Sequence, residues 1–157
     1  IFSTHDRRLK MGVIIQKPAF DVGDQINAFS QNHTKMGAIA TFTGIVRDND
    51  NETLKAMEIE HYPGMAEKAI SEIVQTAMKR WSLGDALVIH RHGTLEPGDV
   101  IMMVATAAIH RKDAFEAAEF LMDYLKSRAP FWKKEITKEA VTWVPSKQND
   151  EDALDRW

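Results

Sequence analysis

The sequence predicts an α+β domain with a largely antiparallel sheet, packed helices and a C-terminal β-hairpin, and three observations carry that prediction. Several β-rich runs are divided by short turn sequences. Two long stretches between them carry apolar residues at i, i+3, i+4 spacing. The last β-rich runs, Phe131 to Thr137 and Ala140 to Val144, flank the turn Lys138-Glu139.

In chain order, Val13 to Gln16 reads as a strand, and Asp21 to Ser30 as a short helix with Val22, Ile26 and Phe29 on one side and Asp21 as its cap. Ala38 to Arg47 and Leu54 to His61 are β-rich and flank the turn-forming Asp48-Asn49-Asp50-Asn51. Met57, Ile59 and His61 alternate with acidic residues, which predicts a hairpin with one wet face. Pro63-Gly64 opens the clearest helix, whose stripe comprises Met65, Ala69, Ile70, Ile73, Val74, Ala77, Met78 and Trp81, with Gly84 as its stop. Ala86 to His92 and Val100 to Ile109 are strands joined through Glu96-Pro97-Gly98-Asp99, and the second, apolar on both faces, belongs in the centre of a sheet. A helix from about Lys112 to Lys126 carries Phe115, Ala118, Met122 and Leu125 and is stopped by Pro130. The polar tail from Pro145, with Leu154 and Trp157 as its apolar members, is expected to be loosely ordered.

With 157 residues and 44% hydrophobic content the chain can bury a core without disulfides or metals. Residues 1–10 are polar and basic and precede Met11. They are expected to be an extension or a cloning remnant, and 11–157 a single domain. Without a membrane-length apolar run or a secretory leader pattern, the expected location is the cytoplasm. The formal net charge of -3 argues against a general nucleic-acid binder. The chain has no cysteine, so no thiolate of its own can act as nucleophile or carry sulfur. Neither a metal-ligand spacing, a phosphate-binding glycine loop nor a serine nucleophile elbow occurs, so neither a metal nor a cofactor is expected.

The segment Tyr124 to Glu135 sets Lys126, Arg128, Lys133 and Lys134 around a helix end, a proline, and the aromatics Phe131 and Trp132. Composition alone favours Lys126 as a solvated helix-end charge. Strand alternation puts Phe131, Lys133 and Glu135 on one face, so Lys133 points with an aromatic and an acid rather than simply outward. His110-Arg111, before a helix start, suits an anion, or else His110 merely ends a turn and Arg111 is solvated. Arg47, at a strand end, either reaches a pocket or faces water. The Pro63-Gly64 junction beside His61 is better explained as structure than as a site.

Thr43-Gly44-Ile45-Val46-Arg47, Glu60-His61-Tyr62-Pro63-Gly64-Met65, His90-Arg91-His92-Gly93, Glu96-Pro97-Gly98-Asp99, Ala108-Ile109-His110-Arg111 and Phe115 through Lys133 together resemble the large, catalytic subunits of molybdopterin synthase, the MoaE family. The likeness runs from about Val13 to Val144. It implies a hammerhead-type fold and a homodimer of large subunits, with a small ubiquitin-like subunit docked at each end to give a heterotetramer. It further implies that the small subunit's C-terminal thiocarboxylate delivers two sulfurs to cyclic pyranopterin monophosphate, giving molybdopterin. By position, the resemblance implies catalytic lysines at Lys126 and Lys133 and substrate-anion contacts at Arg47, His110 and Arg111. These three are expected to converge on the phosphate. Lys147 is the counterpart of an arginine that reaches a neighbouring subunit's pocket, a point charge in place of a fork. Glu135 is placed to orient Lys133.

Two rival readings use the same residues. A non-catalytic module could bind a ubiquitin-like tail in the same pocket, and the cations interleaved with Phe131 and Trp132 suit single-stranded RNA. Intact Lys126 and Lys133 weigh against the first, and net acidity against the second.

Overall fold

A computed structural model describes residues 12–31, 33–145 and 147–157, so the expectations for residues 1–10 and Met11 lie outside the described residues. Eight strands form two four-stranded sheets. The first runs in the order β1 (Val13–Gln16), β4 (Asp85–Arg91), β6 (Val100–Ala108), β2 (Ala38–Ile45). The second runs β5 (Gly93–Leu95), β3 (Leu54–His61), β7 (Phe131–Thr137), β8 (Val141–Trp143). Among the described residues the β1–β4 pairing is parallel and the others are antiparallel. The α+β class and the largely antiparallel sheet are therefore as expected.

Strand β6 lies between β4 and β2 and is buried along both faces, which is why its sequence shows no alternation. Its Met103, Ala105 and Ala107 join Leu87, Ile89 and Phe29 of helix α1 (Val22–Ser30) in one cluster. Met102, Val104 and Ala108 face the other way, into a core shared with helices α2 (Met65–Arg80) and α3 (Arg111–Ser127) and with Leu54, Ile59 and Leu95 of the second sheet. Thr106, sealed within this core, donates its hydroxyl hydrogen to the Ala114 carbonyl at 2.7 Å and so ties β6 to the start of α3.

Local chemistry explains the helix ends. Asp21 accepts the Asp24 N–H at 2.8 Å and caps α1 as expected. The α2 start at Gly64 (φ 83°) is held by the Glu67 carboxylate, which accepts the Gly64 N–H at 2.6 Å. The same helix stops before the expected Gly84, because Ser82 takes the left-handed conformation (φ 48°) and the Leu83 N–H donates to the Met78 carbonyl. Gly84 serves close approach instead, since a Cβ there would run into the Met36 side chain.

Two expectations fail. Strands β2 and β3 do not form a hairpin: β2 pairs with β6, β3 pairs with β5 and β7, and the Asp48–Asn51 turn carries the chain from one sheet to the other. The tail is not loose either. Helix α4 (Gln148–Ala153) and a 3₁₀ turn (Leu154–Arg156) bring Trp157 against Trp81 and Phe120, where its indole N–H donates to Asp123. Its large aromatic surface gives the polar tail an anchor that composition averages away. The C-terminal hairpin, β7 with β8, forms as expected.

Candidate active site

The two sheets and the end of α3 enclose a cavity of about 210 Å³. Strand β2 contributes Phe42, Thr43, Gly44 and Ile45, while β4 and β6 contribute His90 and Met102. Met122, Leu125 and Lys126 line it from α3, at the i, i+3, i+4 spacing of one helix face, and Lys133 enters from β7. Lys126 and Lys133 thus share one cavity although a helix end, Pro130 and a strand start separate them in sequence. A wider depression on α2, lined by Glu72, Gln75, Thr76, Met78 and Lys79, is open to solvent and gathers no comparable set of groups.

The electrostatics of the two lysines differ. Lys126 stands exposed at the cavity mouth. Lys133 is mostly buried, and that burial, reinforced by the charges of Lys126 and Lys147 and opposed by Asp150, lowers its ammonium pKa from 10.5 to about 8. Asp150 is the acid whose charge opposes that lowering. Lys147, which precedes α4, acts on the cavity of its own chain.

The neighbouring cations are engaged elsewhere. Lys134 pairs with Glu60 at 3.2 Å and lies 4.4 Å over the Trp143 ring, and Arg128 pairs with Glu151 at 2.8 Å.

Arg47, His110 and Arg111 do not converge within the chain. In the β2–β6 ladder Ile45 pairs with Val100 and Ala38 with Ala108, so Arg47 leaves one end of the ladder and His110-Arg111 leaves the other. Seven residue steps at about 3.3 Å separate the ends by roughly 23 Å. Helix α3 gives an independent ruler, since Arg111 stands at its start and Lys126 near its end, about 22 Å apart at 1.5 Å per residue. The cavity and Arg47 share one end; His110 and Arg111, both exposed, share the other. None of the three has an ion-pair partner among the described residues.

His90 was not singled out from the sequence as a site residue. It is 5% exposed, stacks on Phe131 with centroids 3.9 Å apart and planes 12° from parallel, and lines the cavity. Burial above all, with the charges of Lys133, His61 and Lys126, lowers its pKa to about 3 against the opposing hydrogen bond to the Arg91 carbonyl. The signal was its place at the end of the apolar run Ala86-Leu87-Val88-Ile89, which buries whatever follows in register.

This chain is similar to known proteins over most of its length. Residues 15–128 match the family model described as MoaE protein. The molybdopterin synthase catalytic subunit of Cereibacter sphaeroides is 59% identical over 147 residues, which cover 94% of this chain and 100% of that protein. The solved molybdopterin biosynthesis MoaE protein of Burkholderia ambifaria superposes with a TM-score of 0.80 at 47% identity, covering 94% of this chain and 97% of the other. Molybdopterin synthase from Staphylococcus aureus does so with a TM-score of 0.76 at 30% identity, covering 87% and 97%.

Proposed function

The chain belongs to the MoaE family, and from that premise we propose that it works as the catalytic subunit of a molybdopterin synthase. It converts cyclic pyranopterin monophosphate to molybdopterin with two sulfurs taken from the thiocarboxylated C-terminus of a small ubiquitin-like subunit. Two large subunits dimerise, and a small subunit on each completes a heterotetramer. The observation that carries the chemistry is the cavity that holds Lys126 at its mouth and, deeper, Lys133 with a pKa of about 8.

The roles follow from charge. A lysine that titrates near neutrality has a neutral fraction able to take a proton and a charged fraction able to give one back. Lys133 is the proton-transferring group, and Lys126, exposed and cationic, attracts the thiocarboxylate and stabilises the oxyanion formed when the carbonyl is attacked. The absence of cysteine fits a sulfur carried in on the partner.

Arg47, on the cavity's side of the fold, and His110 with Arg111 on the far side bind the substrate's anionic group from two protomers. A hydrogen bond closes at about 3 Å, so no small pterin phosphate bridges groups some 20 Å apart in one chain. A second copy, docked so that its His110-Arg111 end meets the first copy's cavity, brings them together. Lys147 adds positive charge near Lys133 within its own chain. The core that joins both sheets supports 11–157 as one domain.

Among the described residues no helix is long and apolar enough to cross a membrane. A cytoplasmic location is part of the proposal, and cell fractionation tests it. The deciding experiment mixes the protein with a thiocarboxylated small subunit and cyclic pyranopterin monophosphate and follows dithiolene formation. Product supports the enzyme. Tight binding of the small subunit with no product overturns it in favour of a non-catalytic binding module.

A further inference from the structure

We propose that His90 is a positioning residue, whose Nε2 faces the cavity as the hydrogen-bond acceptor that orients the water cleaving the link between partner tail and substrate. The proposal rests on the synthase reading above, in which sulfur attack leaves the partner's acyl group joined to substrate through sulfur.

Three observations fix the ring. Its face stacks on Phe131, two residues before Lys133 on β7, so imidazole and amine are held by the same strand. Its Nδ1 lies 2.7 Å from the Arg91 carbonyl, and because a carbonyl only accepts, Nδ1 carries the hydrogen. In the neutral ring Nε2 is then a bare lone pair. Among the described residues the ring's hydrogen bond is the one made by Nδ1, and His90 lines the cavity, which leaves the Nε2 lone pair for a water or ligand held there.

The cavity's other groups give this lone pair its purpose. Lys126 supplies donors, Lys133 as the neutral amine takes a proton, and no carboxylate is among the residues that line the cavity. A water between the lysines therefore finds in His90 an acceptor with a fixed direction. Burial beside Lys133, Lys126 and His61 keeps the imidazole neutral, so it orients the water and leaves proton transfer to the amine.

The water oxygen bonds to the acyl carbon and the carbon–sulfur bond breaks. One water proton passes to the neutral Lys133 amine and the other to the departing sulfur, which stays on the substrate as a thiol, while the partner tail leaves as a carboxylate.

Two isosteric variants separate orientation from packing. His90→Asn retains a donor where Nδ1 stood but offers no acceptor at the Nε2 position, whereas His90→Gln carries its amide farther out and restores one. In the assembled synthase, His90→Asn is expected to slow turnover on the order of a hundredfold, with KM within about twofold of wild type. Intact-mass spectra of its quenched reactions should show the partner–substrate adduct accumulating. His90→Gln should recover about tenfold of the lost rate, with both melting temperatures close to wild type. Should His90→Asn fail to fold, His90→Phe, which keeps the stack but has no acceptor, carries the same expectation. Near-normal turnover in His90→Asn, or equal losses in the Asn and Gln variants without adduct, overturns the role of His90 alone. Wild-type protein that makes no dithiolene overturns the synthase reading and this step together.

Discussion

If Lys133 takes a proton as a neutral amine, the rate must follow its titration. With a pKa of about 8, roughly one Lys133 in eleven is neutral at pH 7, against about three in ten thousand for an ordinary lysine, a gain of about 300-fold. Raising the pH from 7 to 9 should lift the neutral fraction, and with it the single-turnover rate of dithiolene formation, by about tenfold. The profile should level off above about pH 8. The causes can be tested separately. Lys126 is the largest charge effect on Lys133 after burial itself, so Lys126→Gln should move the Lys133 titration upward, as followed by NMR of labelled lysine without relying on turnover. Stability gives the sign independently. Lys133 binds its proton less tightly when folded, so the stability it contributes is complete above the unfolded lysine value of 10.5 and is lost as pH falls through about 8. A rate limb near pH 10, a rate independent of pH, or a Lys133 titration that falls in Lys126→Gln refutes the reasoning.

Lys133→Ala should lower turnover by about 10³-fold without dissociating the small subunit, and Lys133→Arg should not rescue it because a guanidinium stays protonated. Lys134→Ala loses the Glu60 pair and the contact with Trp143; it should cost about 0.5 kcal/mol in denaturant melts and leave turnover within about twofold, and a loss equal to that of Lys133→Ala would reduce both lysines to general charge. Lys133→Ala and Arg111→Ala proteins, each inactive alone, should regain about one quarter of wild-type activity after unfolding and refolding as an equal mixture, because one of the two sites in each mixed dimer is then whole; no recovery puts the site within one chain. Trp157→Ala removes the contacts with Trp81 and Phe120 and the hydrogen bond to Asp123. At a partly buried position that is about 2 kcal/mol, a fall of roughly 4–8 °C in calorimetry, and an unchanged Tm would leave the tail without a structural role.

Most elements were legible because each is decided locally. The α3 stripe, the doubly apolar β6 and the final hairpin are set by periodicity and turn residues within a few positions of themselves. Strand partners are not decided that way. Leu54–His61 follows Ala38–Ile45 across four good turn residues, yet Ile59 and Leu54 belong to the core beneath the second sheet, so β3 pairs with β7 from seventy or more residues downstream. The tail failed for a related reason. Trp157 is one residue in a polar segment, and its value lies in the Trp81–Phe120 surface that only the folded chain presents.

The site divides along the same line. The meeting of Lys126 and Lys133 in one cavity was legible, because a helix end, a proline and a strand start leave few paths between them. The separation of Arg47 from His110 and Arg111 was not, since a sequence shows that Arg47 ends one strand and His110 another but not that antiparallel pairing sends those ends in opposite directions. That antiparallel geometry also limits the remedy. No adjustment of side chains carries Arg111 across a helix of 17 residues, about 25 Å long, to the cavity at its far end. Within one chain Arg47 therefore stands at the cavity's end of the ladder and His110 with Arg111 at the other, and the mixed-dimer experiment measures whether a second copy set end to end with the first brings the two ends together.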